Sequence, residues 1–519
     1  MILKGFIPTS LRLGSLVLMA TAASLPASTY AQAAGPKDTL RIGVYSKAPT
    51  RGNPFMAATV PSSYFWDGLF DSLTRTDGDG QAVAWLAESW KIVDPLTWQF
   101  TLRPGAMFSN GQKLDAPAAA ATFQFLMNEG KATTVGARDA TGFESVRALD
   151  DRTLEIKTKT PDPLLVRRVS AIYFVEPKAW KDSQEAYTAK PVTSGPWQVT
   201  SWNDNEAEFT AFDKSWRPGK IKTLKYVELS ESASRLQALL SDQVDFVMAM
   251  TPDDLDQIKN VGHRVITGRA PNVVTFALFT KDPKGAFGTK GSPFQDVRVR
   301  QAVNHAIDRQ ALTQGLMNGL TQPSGQPATP ATYGYNPAVK PYEFNPDKAK
   351  KLLADAGYPN GFQMVAEVMT GVIPRDREFY TYVAESMGKV GIKVDLRLVP
   401  FSDWVGKLRN GNWEGVATGF SASVDPFMDA TRSFAWYSCG YTAQFVCVDR
   451  HMPLLEAASV EMDPAKREVI VKNLMTAANE DALAVYLFDG IDIFATNKRV
   501  QNFSNWSRTM LYEKWTLAE

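Results

Sequence analysis

Between Ser232 and Ala478, short apolar runs alternate with segments whose apolar residues recur at helical spacing. No other feature constrains the fold as much, because strands that alternate with helices imply an α/β layer structure. A helix is expected at Ser232–Leu240, and Pro252 opens a short one. Val244–Met248 (VDFVM) and Val273–Phe279 (VVTFALF) have the composition of buried strands. Val297–Leu316 is predicted as one amphipathic helix with Val299, Ala302, Val303, Ala306 and Ile307 on a single face. Helices at Pro346–Ala356 and Arg377–Val390 alternate with strands at Gln363–Glu367 and Lys393–Leu398, and Pro464–Ala478 is a further helix. The expectation is an α/β lobe with mostly parallel sheets.

The part before this is strand-rich. Leu40–Tyr45 is a short buried strand and Ser62–Leu73 carries helical spacing. Pieces at Trp90–Asp94, Trp98–Leu102 and Phe108 are separated by D-P, R-P-G and S-N-G breakers. Asp115 stands as N-cap before an Ala-rich helix, Ala116–Asn128. Val146–Thr158 looks like a hairpin turning at Asp150-Asp151, and Pro191–Phe212 like another strand pair. There is no internal repeat and no low-complexity linker, so a domain boundary must be a chain crossover.

The 519 residues suffice for about three domains at 100–200 residues each. Lys and Arg number 56 against 55 Asp and Glu. That balance argues against a nucleic-acid binder, which needs a basic surplus. Three histidines in the whole chain argue against a His-built metal centre, and two cysteines cannot make a four-thiolate zinc site or hold an iron–sulfur cluster by thiolates alone. The N-terminus has the pattern of an export signal. Lys4 and Arg12 precede the short apolar run Leu13–Ala23, and small residues allow cleavage after Ala31 or Ala33. The run is too short to span a bilayer, which takes about 20 residues. The implied location is the periplasm. In that oxidising setting Cys439 and Cys447, eight apart, are expected to pair as a disulfide, with a buried free-thiol pair as the alternative. Such a bridge is worth about 2–3 kcal/mol in loop-entropy models.

The chain lacks a phosphate loop, G-x-G-x-x-G, H-E-x-x-H, G-x-S-x-G and C-x-x-C. His263, His305 and His451 are scattered, so spacing offers no nucleophile–base–orienter set. Asp77 and Asp79 in TDGDGQ imitate a calcium loop, but Gln81 and Ala82 stand at positions that need other residues. A chain of this size without a catalytic signature points to binding and away from an enzyme, and neither cofactor nor metal is expected. Aromatics beside breakers, namely Trp197, Trp404, Trp413 and Phe420, are candidates for a ligand cleft.

Several motifs then match a known family. They are LFDSLTRTDGDG (Leu69–Gly80), LAESW (Leu86–Trp90), WQFTLRPGAMFSNG (Trp98–Gly111), TSGPW (Thr193–Trp197), PFQDVRVRQAVNHAIDR (Pro293–Arg309), NPDKAKKLLADAGY (Asn345–Tyr358) and KVGIKV (Lys389–Val394). In this order and over essentially the whole mature chain, the sequence resembles the extracytoplasmic solute-binding proteins of peptide-type ABC importers, family 5, which include dipeptide-, oligopeptide- and nickel-binding members. The resemblance implies an α/β, two-lobe periplasmic binding protein fold of type II, in its large three-part form. It implies a first lobe of roughly 34–270 plus 490–519, with a strand-rich subdomain at about 61–190, and a second lobe of 271–489. It also implies a monomer that closes on a short peptide or peptide-like solute and docks on an inner-membrane ABC permease driven by ATPase subunits. An opine, a sugar or a metal chelate is an alternative ligand, and an exported hydrolase is the rival class.

The resemblance also implies site residues. Peptide-binding members hold the ligand's amino group with an Asp just after a Gly-Trp pair. Here the stretch is GFSASVDP (Gly419–Pro426), with Phe420 at the Trp position and Ser423 at the Asp position. Asp425 either substitutes for that Asp or caps the next helix through its D-P turn; Ser421 lies in the same stretch. Arg375 stands near the position of the carboxylate-binding Arg of dipeptide-binding members, or is a solvated arginine. Trp404 resembles a pocket Trp, and Trp197 faces the cleft or packs between the lobes.

Overall fold

The computed structural model describes residues 37–48, 51–55, 60–129, 140–203, 206–440, 445–446 and 448–518. The export-signal reading of residues 1–31 and the partner cysteine Cys447 lie outside the described residues. Cys439 is half-buried, and its Sγ donates to Asp449 Oδ1 at 3.1 Å.

A ten-stranded mixed sheet organises the molecule. Its strands, in chain order, are β1 (Thr39–Val44), β2 (Trp197–Trp202), β3 (Glu206–Ala211), β4 (Thr223–Glu228), β5 (Phe246–Val247), β6 (Arg264–Leu278), β7 (Phe362–Thr370), β8 (Ile392–Pro400), β9 (Ala417–Ser423) and β10 (Ala484–Thr496). They lie side by side in the order β8-β7-β9-β6-β10-β5-β1-β4-β3-β2. Only β7–β8, β7–β9, β1–β4 and β1–β5 pair in parallel. The mostly parallel arrangement anticipated from the sequence is therefore not what forms. The reason is topological: β6 carries the chain out of the first half, β10 brings it back, and neighbours running in opposite directions must pair antiparallel.

Two large cores flank this crossing. The first contains β1–β4 and a four-stranded antiparallel sheet of Ala87–Asp94, Thr97–Leu102, Thr153–Thr158 and Phe143–Ala148. Helix Ala116–Glu129 contributes Phe123 and Leu126 to the same core. The second core joins Val273–Phe279, β7, β9, Val485–Phe488 and the helices between them. A third, small core lies on the other face of β5 and β10, where Ile493 and Ala495 point one way and Phe494 the other, as strand alternation demands. The long strands thus pass from core to core near residues 270–272 and 489–492. Their register shifts there, between Arg269 and Val273. Pro271 has no N–H to give the ladder, so an irregularity at this point costs little. Gly490 is required opposite it, because a Cβ would run into the Asn272 side chain.

The sequence motifs turn out to be fastenings. Asp71, fully buried, accepts from Trp85 Nε1 (2.9 Å), Trp216 Nε1 (3.0 Å) and Arg217 Nε (2.8 Å). Ser194 Oγ accepts from the Asp71 N–H at 2.8 Å, and Gly195 packs 2.6 Å, measured from an ideal Cβ, from the Gly68 carbonyl oxygen. In the Pro293–Arg309 block, Arg300 donates to Asp481 O and Phe294 O, while Arg309 donates to Tyr486 O (2.6 Å) and Asn304 Oδ1 (2.6 Å). Those bonds explain a departure from the sequence pattern. The single helix expected over Val297–Leu316 is two, Val297–His305 and Arg309–Gly315, with Asp308 capping the second through Ala311 N at 2.9 Å. The break lets buried Arg309 reach back to both acceptors, and buried donors left without partners would cost about 1–3 kcal/mol each.

Candidate ligand-binding cleft

The two large cores also meet away from the long strands. On one side Thr76 Oγ1 donates to Pro426 O at 3.0 Å, and Arg167 Nη1 donates to Phe427 O at 2.9 Å and to Gly80 O. Gly80 has φ +74° and sits against the Ala331 carbonyl, where a side chain would not fit. On the other side Arg375 pairs with Asp253 through Nε at 2.9 Å and through Nη2, and donates from Nη1 to Leu316 O at 3.0 Å. Asn318 Nδ2 donates to Pro252 O at 3.2 Å beside it. Between these contacts lies a group of polar side chains from both halves that act on one another electrostatically.

Asp425 comes from the segment that follows β9. Its carboxylate has no hydrogen bond or ion pair among the described residues, although the backbone around it is tied: Asp425 N donates to Ser423 Oγ (3.1 Å) and Asp425 O accepts from Arg432 Nε (2.6 Å). It caps no helix, for Asp429 caps Ala430–Phe434. Burial pushes the Asp425 carboxyl above its ordinary pKa, the Arg508 and Arg432 guanidinium groups draw it down, and Asp492 adds to the rise. From the first half, Asp492 in β10 accepts from Arg508 Nε (3.0 Å) and Nη2 (3.1 Å). Arg508 sits in the turn between strands Asn505–Trp506 and Thr509–Met510. Tyr45, at the end of β1, is pushed up by burial and feels the Arg508, Asp492 and Arg235 charges. Tyr173, whose hydroxyl accepts from Arg75 Nη1 at 3.3 Å, is pushed up to about 12 by burial. Asp425, Arg508, Asp492, Tyr45, Tyr173 and Ser423 all keep partial exposure. Desolvated polar side chains that remain partly accessible are the kind that small-molecule sites use to orient a ligand.

The sequence-derived site residues separate under this geometry. Asp425 and Ser423 are half-buried at the end of β9 and just beyond it. Ser421 Oγ accepts from Asn272 Nδ2, next to Gly490. Phe420 and Trp404 are buried in the second core, stacked on each other at 5.8 Å, with Trp404 Nε1 donating to Thr418 Oγ1 at 2.8 Å. Trp197 is fully buried in the first core, donates to Ile221 O at 3.1 Å and covers Gly219. Arg375 stands at the rim. The histidines are tied separately, His263 to Leu239 O, His305 to Glu343 O and His451 to Asp481. The sequence reading missed Asp492, Arg508, Tyr45 and Tyr173. One signal was available for Asp492: in AVYLFDGIDIFAT two acids interrupt an otherwise apolar strand, and buried acids need a partner or a purpose. Among the described residues no helix is long and apolar enough to cross a membrane, and no group of three or more His, Cys, Asp or Glu is arranged to hold a metal ion.

Comparison with known proteins agrees with this architecture. The chain is 23% identical to the dipeptide-binding protein of Escherichia coli (strain K12) over 530 aligned positions, covering 95% of each chain. It is 25% identical to heme-binding protein A of Haemophilus influenzae over 369, where it spans 65% of that relative's length. The structure of the periplasmic binding protein DppA from Helicobacter pylori, in complex with the peptide STSA, superposes with a TM-score of 0.76 at 20% identity, covering 93% of this chain and 98% of that one. The two-lobe α/β fold of periplasmic binding proteins is thereby shown. Residues 81–442 match the family described as bacterial extracellular solute-binding proteins, family 5 Middle. The chain belongs to the family 5 extracellular solute-binding proteins.

Proposed function

We propose that this protein captures a short peptide or peptide-like solute in the periplasm and hands it, unaltered, to an ABC permease whose ATPase subunits drive import. The lobes would be residues 34–270 with 490–519, and residues 271–489, swinging about the crossings of β6 and β10. The observation that carries the reading is the unengaged carboxylate of Asp425, set in the second half and facing charged and phenolic groups of the first. A solute with a protonated amine placed there satisfies that carboxylate and bridges both halves, so binding favours the closed arrangement. Asp425 is then the amine anchor, with Ser423 orienting its backbone. The export-signal pattern of the N-terminal sequence and the relatives' names support transport over hydrolysis.

The test is calorimetry with a series of di- to pentapeptides on the mature chain, followed by mass spectrometry of the recovered peptide. Binding at micromolar level, about 8 kcal/mol, with the peptide recovered intact is the expected result. Cleavage of the peptide, or no binding across the series, would overturn the proposal.

A further inference from the structure

At one end of the ten-stranded sheet, β8 pairs only with β7 among the described residues, so its outer edge is unpartnered. It runs nine residues, Ile392–Pro400, without a register shift, and its proline stands at the last position. Edge strands are usually short, bulged or covered, because a long regular edge is a template for another strand. Helix Asp376–Gly388 packs beside β8 and buries its apolar face in the second core. It leaves an open groove of about 490 Å³ against the strand, lined by Thr381, Ala384 and Glu385 on the helix side and by Val394, Leu396 and Leu398 on the strand side. Val394 and Leu396 are half-buried, and Leu398 is 39% exposed. The intervening residues Lys393, Asp395 and Arg397 are exposed and, by strand alternation, lie on the opposite face. Arg397 Nη2 reaches Asp395 Oδ2 at 3.0 Å, with the two side chains 47% and 60% exposed. An ion pair so open to solvent holds little energy and is readily exchanged for another.

We infer that β8 is a self-association edge that takes β8 of a second copy, antiparallel, about a two-fold axis at Leu396. The charge pattern selects this register. Pairing centred on Leu396 overlaps the whole strand, sets Asp395 of each copy opposite Arg397 of the other, and sets Val394 opposite Leu398 on the other face. Pairing centred on Asp395 opposes that acid to itself and Lys393 to Arg397, and pairing centred on Arg397 opposes that arginine to itself. Like charges directly opposite are destabilising. A two-fold axis normal to the sheet keeps the apolar rows of both copies on one face, so the two grooves merge and Val394, Leu396 and Leu398 of each copy cover those of the other. Such a contact is isologous and closes at two copies. One strand and one helix flank make a small interface, in the weak class below about 1,200 Å². The copies therefore part on dilution, where the monomer implied by the family resemblance prevails. In the order β8-β7-β9-β6-β10 the edge is remote from the crossing strands, so pairing there leaves them free.

The experiment is sedimentation equilibrium of the mature chain from about 1 µM to about 1 mM, the span in which contacts of this class dissociate. The weight-average mass should rise toward twice the monomer's and stop there. Leu396→Lys sets two ammonium groups together on the axis and should hold the protein at monomer mass. Asp395→Arg opposes guanidinium to guanidinium on both sides of the axis and should weaken association about fivefold or more. Adding Arg397→Asp to it restores opposite signs across the strands, and association should return to within about twofold of the unaltered chain. All three positions are exposed or half-buried, and an unchanged melting temperature in dilute solution shows that each variant folds. Rescue by the double exchange is not open to a variant that merely misfolds. Monomer mass at every concentration would overturn the inference and leave the edge to an extended peptide or the permease. Association that survives Leu396→Lys, that the double exchange does not restore, or that runs beyond two copies would overturn it as well.

Discussion

Replacing Arg375 by Gln distinguishes a rim latch from a ligand clamp, and the structure sets the size of the effect. The Asp253 side chain is 59% exposed and that of Arg375 20%. An ion pair so open to solvent is worth about 0.2–1 kcal/mol. If it acts only by favouring the closed arrangement, its loss weakens solute binding by about 1.4- to 5-fold. If the guanidinium instead grips a solute carboxylate in the interior, the loss is about 1.5–3 kcal/mol, more than tenfold. Titration calorimetry on Arg375→Gln, Asp253→Asn and the double variant, with the tightest peptide of the series, gives the answer. The expected outcome is a small, equal effect in each single variant and no further loss in the double. The effect should shrink when ionic strength rises from about 0.05 M to about 0.5 M, since exposed charges are screened. A loss above tenfold in Arg375→Gln with Asp253→Asn unaffected would refute the latch.

Other outcomes follow from the same structure. Asp425→Asn should weaken binding of amine-bearing peptides at least about tenfold while leaving the melting temperature unchanged or higher. Because burial raises the pKa of Asp425 in the empty protein and an ammonium would lower it, binding releases a proton; affinity should be full at neutral pH and fall as pH drops through the raised value. Asp492, Arg508, Arg432 and Tyr173 are the charged or titratable neighbours that modulate this. Asp489, buried beside the strand crossing and bonded to Gln322 Nε2 at 2.8 Å, is pushed up to about 6 by burial. A raised acid favours the fold at low pH and loses that contribution as pH rises through about 6, so Asp489→Asn should stabilise by about 3 kcal/mol at pH near 7.5 and not at pH near 4 in denaturant melts. Trp197→Ala should cost about 3–5 kcal/mol of stability with the peptide affinity of the folded protein untouched, since its ring fills the first core; a changed affinity would place it in the site.

Local patterns carried much of the fold. The strand at β1, the Ala116–Glu129 helix behind Asp115, the hairpin turning at Asp150 and the helix–strand alternation after Pro346 all stand where the periodicity put them. The misses share a cause, which is that distant partners override local pattern. Val297–Leu316 broke because Arg309 and Asn304 had acceptors in β10. β6 extends back to Arg264 through Gly268 and Pro271 because β10 pairs with it there. The proposed anchor Asp425 stands out in the sequence a few residues after a Gly-Phe pair, whereas Arg508 does not. It lies in an ordinary polar turn near the C-terminus, and only the three-dimensional return of β10 gives it Asp492 as a partner and lets its charge act on Asp425. Aromatic residues misled for a related reason: Trp197, Trp404 and Phe420 neighbour breakers in sequence, yet their apolar area is worth more inside the two cores than in a partly wet cleft.

Solute capture as proposed requires that the two halves close on the bound solute. Small-angle X-ray scattering of the mature chain, alone and saturated with the tightest peptide of the series, tests it most directly. The radius of gyration should be smaller with peptide bound, because closure brings together the contacts at Arg375–Asp253 and Arg167–Phe427. An identical scattering curve at proven saturation would contradict it.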